Sequence, residues 1–195
     1  MNNIDELVPF VFYITVFLIN TIYYNKSYES KGKKMVSMQS FRYIHWFIRY
    51  SSVIILFLAL YYPNKYLYVL YQSQYSLYIG IAVSSIATIM FLSARVSLGN
   101  EYSPCYDSYV PSDIIKDGLY KYVRHPIYIS NILLIIGVFI SSGSQLMLLN
   151  LLILSVYYFI SAMIEEREIV KHYPKYKSYK NETGMFIPTK FKMRK

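Results

Sequence analysis

Three groups of residues in this chain have the types and spacing to do chemistry. The first is the stretch GLYKYVRHPIYISN, residues 118–131, where Arg124 and His125 stand directly before Pro126 and a long apolar run. Proline is favoured in the first turn of a helix, because the N–H it lacks would have no intrahelical partner there. Pro126 therefore predicts a helix start, with a guanidinium and an imidazole at the helix end that carries partial positive charge and free N–H groups. Such a corner can hold a carboxylate or a phosphate. The same residues also fit a plain interfacial role, with Arg124 as a flanking cation, His125 as a cap, and Tyr120, Tyr122 and Tyr128 as belt aromatics.

The second group is the pair Glu165–Glu166, which follows the apolar run. Two carboxylates near a helix C-terminus oppose the macrodipole and repel each other, so helix stability does not call for them. If the intervening chain folds back on itself, they return to the side of the membrane that holds Arg124 and His125. A cationic corner beside an anionic one suits a zwitterion such as an amino-acid moiety. The bland alternative is a solvated helix end paired with Arg167 and Lys171. The third group is Arg49, with His45 one turn before it. A charge inside an apolar segment faces a partner or a wet cavity, or its long side chain snorkels to the interface.

The elements that must position these groups are membrane helices. Of 195 residues, 55% are hydrophobic and 16% charged, against about a quarter charged in a soluble domain. Charge is missing from residues 7–25, 50–64, 66–94 and 125–164, and a membrane helix needs about 20 such residues. The last block would measure roughly 60 Å as one helix, about twice the hydrocarbon thickness. It must turn back, and SSGSQ at 141–145 is where it can. We read an all-α bundle of five spans, at about 7–24, 43–62, 75–94, 126–142 and 146–164, in one membrane domain over 1–195. Residues 1–94 supply three N-terminal spans, and 95–195 a loop, a helical hairpin and a tail.

The first span is preceded by MNNIDEL, acidic instead of basic, and lacks a small-residue cleavage site, unlike a signal peptide. Basic residues gather after span 1 (Lys26, Lys31, Lys33, Lys34, Arg42), after span 3 (Arg95, Lys116, Lys121, Arg124) and in the tail, while the loop after span 2 holds only Lys65. The positive-inside rule then puts the N-terminus outside and the C-terminus in the cytoplasm, with both long polar segments on the cytoplasmic side. The net charge of +9 is a topology signal that also draws the protein to anionic headgroups. It does not form the gathered basic face of a nucleic-acid-binding module. A single cysteine, Cys105, allows neither an internal disulfide nor a cysteine metal cluster. Helix continues past span 5 for two or three turns, until Pro174, and a basic, tyrosine-rich tail follows.

Taken together, SLGNEYSP, IIKDGLYKYVRHPIYIS and IEEREIVKHYPKYKSY resemble the isoprenylcysteine carboxyl methyltransferases and the related phospholipid methyltransferases, over roughly residues 97–180. The shared pattern is G-x-Y-x-x-x-R-H-P-x-Y, a helical hairpin, a double glutamate and an aromatic-rich run. The resemblance implies a polytopic enzyme that binds S-adenosylmethionine in a cytoplasmic pocket and takes a lipid-like or prenylated acceptor from the bilayer. It assigns Tyr120, His125, Pro126, Ile127 and Tyr128 to cofactor contact, with Ser112, Asp113, Ile114 and Ile115 upstream and Glu165 beside the cofactor. His125, Glu165 and Arg124 are the expected catalytic set. The isoprenylcysteine enzymes carry an arginine four residues before that glutamate to hold the acceptor's carboxylate; here it is Ser161. Arg49, Ser161 and Glu166 are left to face the acceptor. Tyr173–Pro174 likewise replaces a phenylalanine–glycine pair.

The chemistry so implied is in-line methyl transfer to oxygen, nitrogen or sulfur, with His125 or a glutamate as base where the nucleophile must lose a proton. Two other readings stay open. One is an NADPH-dependent sterol-type reductase, which would need more phosphate-binding cations than Arg95, Lys116 and Lys121. The other is a membrane scaffold without enzymatic activity.

Overall fold

The structure is a computed structural model that describes residues 3–27, 39–61, 69–71, 73–99 and 114–189. Six α-helices account for most of this: α1 (Asn3–Ser27), α2 (Gln39–Tyr61), α3 (Gln74–Leu98), α4 (Pro126–Ser142), α5 (Gln145–His172) and α6 (Tyr176–Glu182). A 3-10 turn, Gly118–Lys121, precedes α4. Among the described residues there are no β-strands, only two isolated bridges. The all-α expectation holds, and four of the five apolar segments read from the sequence fall within one of the first five helices, while the segment at 43–62 runs one residue past the end of α2.

Two helices, α3 and α5, are long and apolar enough to cross a membrane; the apolar stretches Leu7–Ile19, Tyr43–Ala59 and Pro126–Ser142 are shorter. The way α5 packs is the reverse of a water-soluble helix. It turns Leu149, Leu152, Val156, Phe159, Ile160 and Met163 outward and buries Asn150, Tyr157, Ser161 and Glu166. A monomer in water does not expose so continuous an apolar face.

The tightest pairing is α3 against α4, and small residues make it possible. A Cβ on Gly80 would lie 2.6 Å from the Gly137 carbonyl oxygen, and one on Gly137 would lie 2.8 Å from the Ser84 nitrogen. Bare backbone on both sides lets the helices meet almost in contact, as small residues do in membrane bundles. Two apolar clusters surround this pair. One holds Leu56, Ile135, Val138, Met147 and Leu154, and the other Val16, Ala87, Phe91, Ile127 and Leu134.

Helices α4 and α5 form the expected hairpin. Gly143 ends α4 in the left-handed region (φ 61°), its N–H bonded to the Phe139 carbonyl at 2.8 Å. A Cβ there would collide with the Tyr71 carbonyl, so glycine is required both by conformation and by space. Leu70 donates from its backbone to Gly143 O at 2.9 Å and pins the turn to the segment before α3. At the far end α5 runs on to His172, two residues short of Pro174, because the residue before a proline is pushed out of the helical region.

Candidate functional site

The N-terminus of α4 is assembled by three pieces of chain. Pro126 opens the helix, preceded by His125 in a non-helical conformation (φ −124°, ψ 59°). The 3-10 turn starts at Gly118, whose φ of +58° and closeness to the Ser97 side chain exclude a larger residue. It buries Tyr120 against Phe91 and Ile127. The tail then lies alongside: Arg124 N–H donates to Gly184 O at 2.9 Å and His125 N–H to Met185 O at 3.2 Å, with Val123 and Gly184 forming a parallel bridge. Tyr179 OH donates to the Tyr120 carbonyl at 2.6 Å.

The hairpin brings the two glutamates to this same corner, and they take different places in it. Glu166, 1% exposed, accepts from Arg124 Nε at 2.6 Å and faces His125 Nε2 at 3.2 Å, both through Oε1. Lys180 Nζ stands 2.9 Å from Oε2, an ion pair without hydrogen-bond alignment. Burial alone would raise the Glu166 carboxyl, but the contacts with His125, Arg124 and Lys180 outweigh it and hold the group down at about 2. Arg124 Nη1 donates to Lys180 O (2.9 Å) and to Thr183 O. Burial, and then the charges of Glu166 and Glu165, push the Tyr176 phenol up; burial also raises Tyr179.

Arg124 is buried and turned inward, neutralised by Glu166, because a desolvated guanidinium needs both a counter-charge and acceptors for its N–H groups.

Glu165 faces the other way. It is 24% exposed and accepts from Tyr128 OH at 2.9 Å, with His125 Nδ1 3.7 Å away. The His125 ring thus stands between the two carboxylates, one nitrogen toward each. It stacks on Tyr128 (5.3 Å, 5° between planes), which stacks in turn on Tyr158 of α5 (5.1 Å, 27°). Phe186 of the tail packs against His125 at 5.9 Å, tilted by 49°. Glu165 with this aromatic stack offers a half-buried negative charge beside π-faces, a surrounding suited to an organic cation.

Of the residues singled out in the sequence, Tyr120, Arg124, His125, Pro126, Ile127, Tyr128, Glu165 and Glu166 come together here. Ile115 packs against the cluster around Tyr120 and Ile127, and Ile114 is half-buried nearby in the chain. Ser112 and Asp113 lie outside the described residues. Ser161 is buried one turn before Glu165. Arg49 belongs to a different neighbourhood: its Nη2 donates to Phe17 O on α1 at 2.7 Å, and its guanidinium lies over the Phe17 ring at 4.4 Å. Sequence reasoning passed over Tyr158, Tyr176, Tyr179, Lys180, Thr183 and Phe186. Their only signal was membership of an aromatic, basic tail or of an apolar span.

Compared with known families, residues 75–176 match the family model for phospholipid methyltransferase. The match covers more than half of the chain and takes in α3, α4, α5 and both glutamates. A search of curated proteins finds no match. This chain belongs to the phospholipid methyltransferase family, a family of membrane methyltransferases, which bears out the resemblance read from its motifs.

Proposed function

We propose that the protein is an S-adenosylmethionine-dependent methyltransferase that modifies a lipid-like or prenylated amphipathic acceptor at the cytoplasmic face of a membrane. The observation that carries this reading is Glu165 held by Tyr128 beside the His125–Tyr128–Tyr158 stack. Its donor set fits the cofactor: Glu165 is a counter-charge for the methionyl ammonium, and the stacked rings suit adenine and sulfonium. Arg124, occupied by Glu166, acts as a positioning residue that fixes the α4 entrance and the tail. The distribution of basic residues, read as five spans with the N-terminus outside, supports a cytoplasmic position for this corner.

S-adenosylmethionine, when bound, supplies a methyl group whose S–C bond breaks with the electron pair kept by sulfur, while a lone pair of the acceptor forms the new bond. The chain's own work is to align the two reactants and exclude water. An ionised carboxylate acceptor needs no base. A hydroxyl or ammonium acceptor must lose a proton, and His125 or a glutamate is the candidate base.

Calorimetric titration of the purified protein with S-adenosylmethionine tests the assignment. Saturable binding is expected for wild type, with Glu165→Ala and His125→Ala weakening it tenfold or more. No binding by wild type, or undiminished binding by both variants, overturns it. Thermal protection by NADPH and not by S-adenosylmethionine would instead select the reductase reading.

A further inference from the structure

The tail segment that lines one side of the site also reaches the lipid-facing surface of the bundle. The N–H groups of Arg124 and His125 hold it by Gly184 O and Met185 O, and the chain then turns sharply. A Cβ on Gly184 would lie 1.7 Å from the Ile187 carbonyl oxygen, so the turn has no room for a side chain there.

This turn gives Phe186 two aromatic neighbours. One is His125 at 5.9 Å, and the other is Phe159 of α5 at 6.3 Å. Phe159 is 51% exposed and belongs to the outward apolar face of α5, with Val156, Ile160 and Met163. It lies six residues before Glu165, about 9 Å along the helix. The next tail residue, Ile187, is 77% exposed. The tip of the turn thus extends an apolar face that a bilayer, and not water, covers.

Positive charge flanks this tip. Lys175 and Lys177 are exposed on α6, whose Tyr176 and Tyr179 are buried. Residues 190–195, KFKMRK, carry four cations and no acid. Apolar and aromatic side chains interleaved with Lys and Arg suit the boundary between hydrocarbon and headgroups, and such cation clusters are drawn to anionic lipid. A soluble acidic partner would answer the cations but not the continuity of Phe186 and Ile187 with the lipid-facing side of α5.

We propose that residues 184–189 form a strap whose partner is the anionic lipid surface of the protein's own membrane, and that this contact holds Phe186 against His125 and tightens the site. A surface that binds the docked strap better than a released one shifts the population toward the docked state. The lipid contact stands on its own, and its effect on the site rests on the methyltransferase reading.

The lipid contact is read with the full chain carrying Trp46→Phe and Ile187→Trp, which leaves the introduced indole as the sole one. The protein is placed in phosphatidylcholine nanodiscs, with or without one third phosphatidylserine, made from lipids brominated near the top of the acyl chains. Bromine quenching of the indole is expected to be at least twofold stronger with phosphatidylserine. Lys190→Gln, Lys192→Gln, Arg194→Gln and Lys195→Gln together should abolish that difference. Calorimetry with the natural sequence should show S-adenosylmethionine binding at least threefold tighter in the phosphatidylserine discs. The chain with the four substitutions should lose this gain and bind as the natural chain does in phosphatidylcholine alone. Absent quenching, quenching indifferent to phosphatidylserine, or a difference that survives the four substitutions overturns the lipid contact. Equal S-adenosylmethionine affinity in both discs, with lipid-dependent quenching intact, overturns its effect on the site. If neither disc supports S-adenosylmethionine binding, the methyltransferase reading falls and the coupling with it, while quenching still judges the strap.

Discussion

Glu165 and Glu166 are neighbours in the chain, yet Glu166 is sealed against Arg124 at 2.6 Å while Glu165 stays a quarter exposed and accepts from Tyr128 at 2.9 Å. About 100° of helical rotation separates them, enough to send one carboxylate into the protein and leave the other at its edge. Their substitutions should therefore fail differently. Glu166→Ala strands a buried guanidinium and should destabilise the fold by about 3–5 kcal/mol, seen as a lowered unfolding temperature in detergent. Glu165→Gln should unfold within about 1 kcal/mol of wild type, as expected for a partly exposed group, but bind S-adenosylmethionine at least tenfold more weakly by calorimetry. Equal behaviour of the two variants in both measurements would contradict the division.

Acid should act through Glu166. Its carboxyl titrates at about 2 in the fold against 4.5 ordinarily, so the folded state holds it ionised. The stability it contributes is complete above about pH 4.5 and is lost as pH falls toward 2. A shift of this size corresponds to roughly 3 kcal/mol. Unfolding midpoints measured from pH 5 down to pH 2 should fall for wild type, with a shallower decline in Glu166→Gln.

Tyr128→Phe removes the hydroxyl that donates to Glu165 and leaves both ring stacks in place. A hydrogen bond to a charged group contributes about 1.5–3 kcal/mol. Part of that loss should appear as a three- to tenfold weaker cofactor affinity, with the unfolding temperature little changed. A larger effect on folding than on binding would assign Tyr128 to packing.

The α3–α4 crossing leaves no room for side chains at Gly80 and Gly137. Gly80→Val or Gly137→Val should force the helices apart and destabilise the protein by about 1–3 kcal/mol or more, read as lost expression of folded protein on size-exclusion chromatography in detergent. Gly99, where an added Cβ would meet none of the described residues within 4 Å, provides a contrast in packing, with a positive φ of 51° as a separate conformational penalty.

Lys180 ties the tail to the site through Glu166 Oε2, but its own side chain is 46% exposed. Solvent screening limits such a pair to about 1 kcal/mol or less. Lys180→Ala should barely move the unfolding temperature. It should still speed proteolysis within 183–189, whose backbone pairs with Val123–His125.

The helical framework was legible because its causes are local. Blocks free of charge set where helices could lie, the length of 125–164 required a turn, Gly143 and Pro174 marked where α4 and α5 end, and Pro126 marked where α4 begins. The motif order around Arg124–His125–Pro126 and the double glutamate was enough to indicate the family and to predict that these residues meet. Each of these signals acts within a few residues or through chain length alone.

Which partner each charge takes was decided only by tertiary structure. Nothing in the order Arg124–His125 or Glu165–Glu166 says that Arg124 turns inward, that Glu166 and not Glu165 neutralises it, or that His125 stands between the carboxylates. Those outcomes depend on the rotation of α5 against α4 and on a tail whose Lys180, Thr183 and Gly184 return from more than fifty residues away. His45 stood out beside Arg49, but its pairing with Tyr157, and that of Ser52 with Asn150, could not be read, since the partners sit about a hundred residues apart inside apolar spans. Apolar burial is non-directional and follows from composition. Hydrogen bonds and ion pairs depend on distance and direction, and those exist only once the helices have packed.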